Sequence, residues 1–166
     1  RRAATSGLGL RQRLPAPAPG SCAREHRSWN DTDMSDAADP RQRPLPTGEI
    51  TFLLTDIEGS TSLFQRLGDE RFRELLAHHH RIIRRSLADH RGAEVKTEGD
   101  SFLAAFADPQ DAAAAALVAQ RALEVWAWPA DGRIRVRMGL HRGAAELGEG
   151  RDYLALALHQ AARVAA

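Results

Sequence analysis

Two aspartates that each follow a short apolar strand are the residues of this chain best suited to chemistry. Asp56 follows the apolar run 50–54, and Asp100 lies between the strand-like segments 94–96 and 101–106. In one sheet, their carboxylates can lie side by side and hold Mg²⁺, which prefers carboxylate oxygens, water and phosphates as ligands. Two such ions can hold the attacking and leaving oxygens of an in-line phosphoryl displacement. Taken singly, each aspartate is better explained as a turn residue, since Asp beside Gly is common in turns.

The segments around these aspartates alternate between strand and helix periodicity. Residues 49–55 predict a buried strand, residues 92–100 a strand with a turn, and residues 101–106 its hairpin partner. Three helices are predicted between the strands: one capped by Ser60 or Thr61, a longer one capped by Asp69 and reaching Gly92, and a third from Asp108 to Trp128. Two further strands at 133–140 and 143–147 and a helix at 155–166 follow. This order is typical of the α+β, ferredoxin-like split βαβ fold, with a mainly antiparallel sheet and helices on one face.

Composition excludes several classes of protein. The 166 residues carry a net charge of +1, which leaves no electrostatic footprint for nucleic acid, so no nucleic-acid partner is expected. Cys22 is the only cysteine, so no internal disulfide can form and a reducing, cytoplasmic compartment is expected. No apolar run approaches the ~20 residues that span a bilayer, so no membrane partner is expected of this segment.

The two ends of the sequence differ from its middle. Residues 1–46 are rich in Arg, Pro, Ala, Ser and Asp without an apolar period, which predicts a disordered tail. The first methionine is Met34, so the natural start is expected there. The last residues read as the middle of a helix with no terminating Gly, so the domain at 47–166 is expected to be incomplete at its C-terminus.

Four segments in this order resemble the catalytic domain of class III adenylate and guanylate cyclases, in particular those of high-GC bacteria. They are residues 52–61, residues 95–100, residues 137–143, and residues 152–153 with 161–163. Each segment alone is a moderate signal, and the four in this order with compatible spacing are a strong one, for a resemblance that extends over residues 49–166. The resemblance implies the α+β fold predicted above and the cyclisation of a purine nucleoside triphosphate.

The resemblance also implies a role for each matching residue. Asp56 and Asp100 would ligate two Mg²⁺ or Mn²⁺ ions, with help from the backbone carbonyl of Ile57. Lys96 and Asp152 match the pair that reads the purine, where Lys donates to adenine N1 and Asp accepts from the exocyclic amine. A guanine-selective site in this family usually has Glu and Cys there.

Three further positions near the end of the chain bear on catalysis. Arg163 matches the arginine that stabilises charge on the α-phosphate, a role that suits a guanidinium fork in a water-poor cleft. His159 stands where the family has the ribose-orienting asparagine, and can still donate one hydrogen bond. Ala155 stands where the family has glycine.

The resemblance predicts an adenylate cyclase that converts ATP to 3′,5′-cyclic AMP and pyrophosphate. It places the metals on one subunit and Lys96, Asp152 and Arg163 on the other, so a homodimer would hold two composite sites. One alternative is a non-catalytic nucleotide-binding or dimerisation module of a larger regulator, which His159 and Ala155 favour. Another is a guanylate cyclase, which Lys96 and Asp152 disfavour.

Other polar clusters have simpler interpretations. The run His78, His79 and His80 predicts three rings pointing in different directions on a helix, with one partly buried. His141 is interpreted as a satisfied structural histidine just after a strand. A final group is interpreted as solvated or local turn residues, with a second role near the nucleotide or metals left open: Arg133, Arg135, Arg137, Glu58 and Glu98.

Overall fold

A four-stranded antiparallel sheet organises the part of the chain that the computed structural model describes, residues 38–148 and 153. The strands are β1 (Gly48–Ile57), β2 (Ala93–Glu98), β3 (Ser101–Phe106) and β4 (Val136–Ala145). Their order is β2-β3-β1-β4, and each neighbouring pair is antiparallel. Strands β1 and β2 thus flank β3, which is the split βαβ arrangement of the ferredoxin-like α+β fold predicted from the sequence.

Three helices connect the strands and pack on one face of the sheet. They are α1 (Ser60–Leu67), α2 (Asp69–Asp89) and α3 (Pro109–Val125). The core beneath them joins large sheet residues such as Leu53 and Phe102 to the apolar stripe of α2. Four alanines of α3 are buried in this core, so this helix can approach the sheet closely: Ala112, Ala115, Ala119 and Ala122.

Two predictions about the bounds of strand β4 are wrong. The strand begins at Val136 rather than Arg133, and it continues through residues 143–145 instead of ending before a separate strand at 143–147. The reason is β1, which pairs with β4 over ten positions, from Gly48 opposite Ala145 to Ile57 opposite Val136. The predicted break at residues 141–142 is therefore wrong, because the long partner strand keeps both residues in the ladder.

The predicted caps of the first two helices are also wrong. Gly59, at φ +65°, precedes α1, and Ser60 is already helical with no side-chain cap. Gly68, at φ +77°, precedes α2, so Asp69 lies in the first turn, where its charge favours the positive end of the helix. The start predicted for α3 is confirmed, and Asp108 caps this helix by accepting a hydrogen bond from the Gln110 backbone N–H at 2.8 Å. That helix ends at Val125, short of the predicted Trp128.

The opposite face of the sheet, called the second face below, has its own small apolar cluster. Its buried members are Ile50, Phe52, Ala105, Ala145 and Tyr153. The Tyr153 ring meets Phe52 edge to face at 5.1 Å, and its hydroxyl donates to the Pro46 carbonyl at 2.7 Å. Tyr153 therefore ties the end of the described chain to the segment before β1.

Residues 38–46, which the sequence analysis assigned to the tail, lie on the domain. Pro40 is fully buried and its carbonyl accepts a hydrogen bond from the Glu94 backbone N–H at 2.9 Å. Leu45 packs against the second-face cluster. The packed region therefore begins before residue 47, whereas residues 1–37 and the predicted helix 155–166 lie outside the described residues. Within the described parts of the chain, no helix has the length and apolar character that crossing a membrane requires.

His79 supplies a prediction about stability. Its side chain is fully buried on α2, and neither ring nitrogen has a hydrogen-bond partner among the described residues. Burial, followed by the charges of His80 and Arg84, lowers the pKa of His79 from 6.5 to about 3. The unfolded chain would bind a proton there below pH 6.5, whereas the folded chain would not until about pH 3. Stability from this residue is therefore complete above pH 6.5 and is lost progressively as the pH falls toward 3.

We expect His79→Leu to flatten this acid dependence. The wild-type free energy of unfolding should lose up to about 1.4 kcal/mol per pH unit through this group as the pH falls below its unfolded pKa. Urea unfolding at several values between pH 4 and pH 7, for wild type and His79→Leu, measures the two slopes. Equal slopes for the two proteins would contradict a neutral His79 in the folded state.

Candidate active site at the end of β1

Asp56, Ile57 and Asp100 come together at one end of the sheet, as their positions in the sequence predicted. Asp56 is the second-last residue of β1, and Asp100 follows Gly99 in the turn between β2 and β3. Gly99 has φ +58°, a left-handed conformation that favours glycine and lets the turn close tightly. The Asp100 carboxylate accepts a hydrogen bond from the Ile57 backbone N–H at 3.3 Å, so the turn is joined directly to β1.

Each oxygen of the Asp56 carboxylate has a protein donor. Oδ1 accepts from the Ser101 hydroxyl at 3.2 Å, and Oδ2 accepts from Nη2 of Arg137 at 2.5 Å. Arg137 lies opposite Asp56 in the β1–β4 register. The sequence analysis favoured a solvated role for Arg137 and did not identify Ser101. The alternation of arginines at 133, 135 and 137 was the available signal, but only the register shows which one faces Asp56.

The donor set of this site fits a magnesium-like ion. Two carboxylates supply hard oxygens, and the Asp56 side chain is 32% exposed, so solvent and substrate can reach it. Across residues 38–148 and 153, no group of three or more His, Cys, Asp or Glu side chains could hold a metal. A cation here would therefore take much of its coordination from water and from substrate phosphates, which is how Mg²⁺ is commonly bound.

Lys96 lies on the same face of the sheet as Asp56. It is opposite Leu103, which packs on the second-face cluster, and Leu103 is opposite Leu54 of β1. Because side chains alternate along a strand, Asp56 shares the face of Leu54. The Lys96 ammonium contacts the Glu98 carboxylate at 2.7 Å, and 54% of the lysine side chain remains exposed. Lys96 is thus accessible to a ligand that approaches the second face.

Three of the predicted site residues, Asp152, His159 and Arg163, lie outside the described residues, as does Ala155. Tyr153, the residue after Asp152, is described and forms an isolated antiparallel bridge with Leu147. The roles of Asp152, His159 and Arg163 remain predictions.

The histidine run occupies three different environments, as expected of consecutive helical residues. The His78 ring stacks near Trp126 at 4.9 Å, and His79 is buried in the core. His80 Nε2 donates to the Gly99 carbonyl at 2.9 Å, immediately before Asp100. Burial lowers the pKa of His80, although this hydrogen bond opposes the shift. The prediction of one partly buried ring was too conservative, since His79 is fully buried.

His141 differs from its prediction. It lies inside β4 opposite Phe52, not after a strand. Its buried Nε2 has no hydrogen-bond partner among the described residues, so this histidine is structural but not fully satisfied.

An open cleft of about 400 Å³ lies beside the end of β1. Its wall includes Glu58 and Gly59 from the turn after β1, and Arg66 from α1. Two arginines of the loop before β4, Arg133 and Arg135, complete its basic side. Arg133 is paired with Glu124 at 2.6 Å, and Arg66 donates to the Asp131 carbonyl at 3.1 Å. The cleft beside the turn that follows Asp56 is therefore lined by both arginines and the acidic residues Glu58 and Asp131.

Comparison with known sequences identifies the family. The adenylate and guanylate cyclase catalytic domain matches residues 43–149, more than half of the chain. An adenylate cyclase of Lachancea kluyveri is 34% identical in an alignment of 143 positions that covers 72% of this chain and 8% of that protein. An uncharacterised protein of Mycobacterium bovis is 38% identical over 104 residues, 61% of this chain and 34% of that protein. This chain therefore spans about a third of the mycobacterial relative and a small fraction of the fungal one.

Solved structures agree with this assignment. An adenylate cyclase of Trypanosoma brucei, in its monomeric state, superposes with a TM-score of 0.63 at 26% identity, covering 78% of this chain and 71% of that one. A dimeric guanylyl cyclase domain from the aquatic fungus Blastocladiella emersonii also gives 0.63, at 17% identity, covering 72% and 73%. The second likeness shows the fold alone. The chain, with its paired aspartates on a ferredoxin-like sheet, belongs to the adenylate and guanylate cyclase catalytic domain family.

Proposed function

We propose that this domain is an adenylate cyclase that converts ATP to 3′,5′-cyclic AMP and pyrophosphate for intracellular signalling. The observation that carries the proposal is the convergence of Asp56 and Asp100 at the end of β1, where the Ile57 N–H joins them. The family supports nucleotide cyclisation in general. The choice of ATP, the metal requirement and the assembly are the specific parts of the proposal.

Asp56 and Asp100, with the Ile57 carbonyl, would hold two Mg²⁺ or Mn²⁺ ions. When bound, such ions lower the pKa of a coordinated hydroxyl and offset charge on phosphate oxygens. Ser101 and Arg137 hold the Asp56 carboxylate from two sides, so its orientation is fixed before substrate arrives. The Gly99 turn and the Ile57 N–H do the same for Asp100. This preorganisation is what electrostatic catalysis requires.

In the proposed reaction, the ribose 3′-oxygen attacks the α-phosphorus in line with the leaving group. The new O–P bond closes the cyclic phosphodiester, the bond from phosphorus to the bridging oxygen breaks, and pyrophosphate leaves with that electron pair. The 3′-hydroxyl proton passes to water. The protein contributes positioning and charge, as in other phosphoryl transfers. Arg163 would donate to the α-phosphate oxygens, and His159 would donate to the ribose.

The substrate preference rests on two residues. Lys96 would donate to adenine N1, and Asp152 would accept from the adenine amine. The exposure of Lys96 on the second face supports its availability to a base. We further propose a homodimer in which each of two sites combines the metals of one subunit with Lys96, Asp152 and Arg163 of the other. A cytoplasmic location is proposed because a single cysteine suits a reducing compartment and ATP is the substrate.

A non-catalytic nucleotide-binding module is the second candidate. His159 and Ala155 favour it, because the family has a ribose-orienting asparagine and a glycine at these two positions. Such a module would still bind nucleotide through Lys96 and Asp152 but would form no cyclic product. A guanylate cyclase is disfavoured by the same Lys96 and Asp152 pair.

We expect Lys96→Glu with Asp152→Cys to shift the preference from ATP toward GTP. Guanine presents an acceptor at O6 and a donor at N1, the reverse of adenine's pattern, and each unpaired buried group costs about 1–3 kcal/mol. The ratio of kcat/KM values for ATP and GTP measures the shift, independently of any general loss of activity. An unchanged ratio would show that this pair does not read the base.

A further inference from the structure

A part-buried ion pair holds the strand that carries Lys96. Glu94 of β2 is only 7% exposed, and the α2 residue Arg84, 26% exposed, donates to it through two nitrogens, at 2.8 and 2.9 Å. The Thr97 hydroxyl donates to the same carboxylate at 2.7 Å. Burial alone would raise the pKa of Glu94, but the bonds from Arg84 and Thr97 outweigh burial and lower it. Glu94 is therefore held as a carboxylate. It precedes Lys96 in β2 and accepts a hydrogen bond from Thr97, which follows Lys96.

A β-bulge lies between Glu94 and Lys96. Glu94 is opposite Ala104, whereas Lys96 is opposite Leu103, so Val95 is an extra residue in the ladder. Glu94 faces the helices, where it meets Arg84. Val95 packs with the second-face cluster, and Lys96 shares that face with Leu103. In a regular strand, residues two apart point the same way, so the bulge is what allows Glu94 and Lys96 to face opposite sides.

The same stretch of α2 contacts the hairpin again near Asp100. The Arg84 guanidinium lies over the Phe102 ring, 5.2 Å from its centre. His80, one helical turn earlier, meets the same ring edge to face at 5.1 Å and donates to the Gly99 carbonyl. One side of α2 therefore fixes both ends of β2: the bulge before Lys96 and the turn before Asp100.

Net stability is a weak reason for such a pair. Glu94 is buried and the Arg84 side chain is 26% exposed, so desolvation offsets part of their attraction, and apolar side chains of similar volume often stabilise a core as well. Its bidentate geometry instead fixes the backbone direction tightly, because the planar guanidinium accepts few alternative arrangements. A fixed backbone direction is what is needed to orient the side chain of a neighbouring residue.

We propose that Arg84 and Glu94 form a positioning device that aims Lys96 at the purine and so sets the ATP-over-GTP preference of this domain. The proposal rests on the proposed function, since it assigns the two residues to the base-reading part of that site. Neither residue touches the substrate. Their effect is expected in discrimination between purines, and a merely structural pair would lower stability without changing that discrimination.

The test compares four variants with wild type in the full natural protein. Glu94→Gln keeps the shape of the side chain but removes its charge. Arg84→Met with Glu94→Leu replaces the pair by apolar side chains, so no buried charge is left unpaired. Asp89→Asn, which breaks the Arg85–Asp89 pair one turn further along α2, is the matched control. Lys96→Ala reports whether Lys96 reads the base at all.

Two measurements are made on each variant. The first is the ratio of kcat/KM for ATP and GTP. The second is the ratio of association constants for 3′-deoxy-ATP and 3′-deoxy-GTP, which bind but lack the attacking hydroxyl. Glu94→Gln and the double variant should each lower both ratios roughly three- to tenfold, with Asp89→Asn unchanged. Thermal melting shows which variants are folded. If the double variant is unfolded, the result for Glu94→Gln alone tests the proposal.

The outcomes separate the two proposals. If Lys96→Ala lowers the ratios but folded Glu94→Gln leaves them as in wild type, the positioning device is wrong and the base-reading role of Lys96 stands. If Lys96→Ala also leaves the ratios unchanged, both the base-reading role and the positioning device are wrong. If no cyclic product forms but the binding ratio falls in Glu94→Gln, the device is supported and catalysis is not.

Discussion

Replacing Asp56 or Asp100 with asparagine is expected to reduce cyclisation by roughly 10²–10³-fold, the scale on which removing a preorganised electrostatic group acts. Asparagine keeps the volume and one oxygen of each side chain, so the Ser101 contact of Asp56 and the Ile57 contact of Asp100 can persist. What is lost is the negative charge that would hold the divalent ions. The initial rate of cyclic AMP formation, measured over a range of Mn²⁺ and Mg²⁺ concentrations, gives the size of the loss.

Asp111→Asn provides the control for this experiment. Asp111 pairs with Arg91 on the surface of α3, away from the end of β1, at 2.7 Å. The Asp111→Asn variant changes the net charge by the same amount as Asp56→Asn or Asp100→Asn and should keep wild-type activity. Circular dichroism and thermal melting show whether each variant is folded. A folded Asp56→Asn or Asp100→Asn protein with wild-type rates would contradict the metal-binding role of that residue.

Mixing two inactive variants is expected to restore activity. Asp56→Ala removes a metal ligand, and Arg163→Ala removes the proposed α-phosphate contact. If each site combines the metals of one subunit with Arg163 of the other, a mixed dimer has one site with both lesions and one site with neither. With random exchange, half of the dimers are mixed, so about a quarter of all sites become intact. Either variant alone should stay near the background rate.

This prediction depends on subunit exchange, which has to be shown in the same samples. Two different affinity tags on the two variants allow mixed dimers to be isolated and assayed directly. Purified mixed dimers should have about half the activity of wild-type dimers. Inactive mixed dimers would show that the site is not shared between subunits, and the composite arrangement would then be wrong.

Local sequence was sufficient to predict the parts of the fold that depend on short-range patterns. The apolar run of β1 and the Gly99–Asp100 turn between β2 and β3 were placed correctly. The start of α3 was predicted because Asp108 followed by Pro109 is a local signal for the beginning of a helix. The proximity of Asp56 and Asp100 could be predicted because each lies where a strand of the same sheet ends. The ends of neighbouring strands lie close together.

Features that depend on register were missed. The full length of β4 follows from its pairing with β1, whereas the local pattern predicted two separate strands at 133–140 and 143–147. The contact of Arg137 with Asp56 joins residues 81 positions apart, so no local pattern points to it. The glycines before α1 and α2 adopt positive φ and replace the polar caps that Ser60 and Asp69 predicted.

The Arg84–Glu94 pair was missed for a related reason. Both residues are charged, and a charged residue in a helix or a short strand is usually solvated. Their burial arises only when α2 packs across β2, and the bulge at Val95 turns Glu94 toward the helix. A buried pair of this kind becomes visible once the strands are in register.

The most direct test of the adenylate cyclase proposal is to incubate the full natural protein with ATP or GTP and with Mn²⁺ or Mg²⁺, and to quantify the cyclic product and pyrophosphate. We predict cyclic AMP and pyrophosphate in equal amounts, formed only with a divalent cation, with kcat/KM for ATP exceeding that for GTP. Nucleotide binding without cyclic product would contradict catalysis and favour the regulatory module. A preference for GTP would contradict the assignment of Lys96 and Asp152 to adenine.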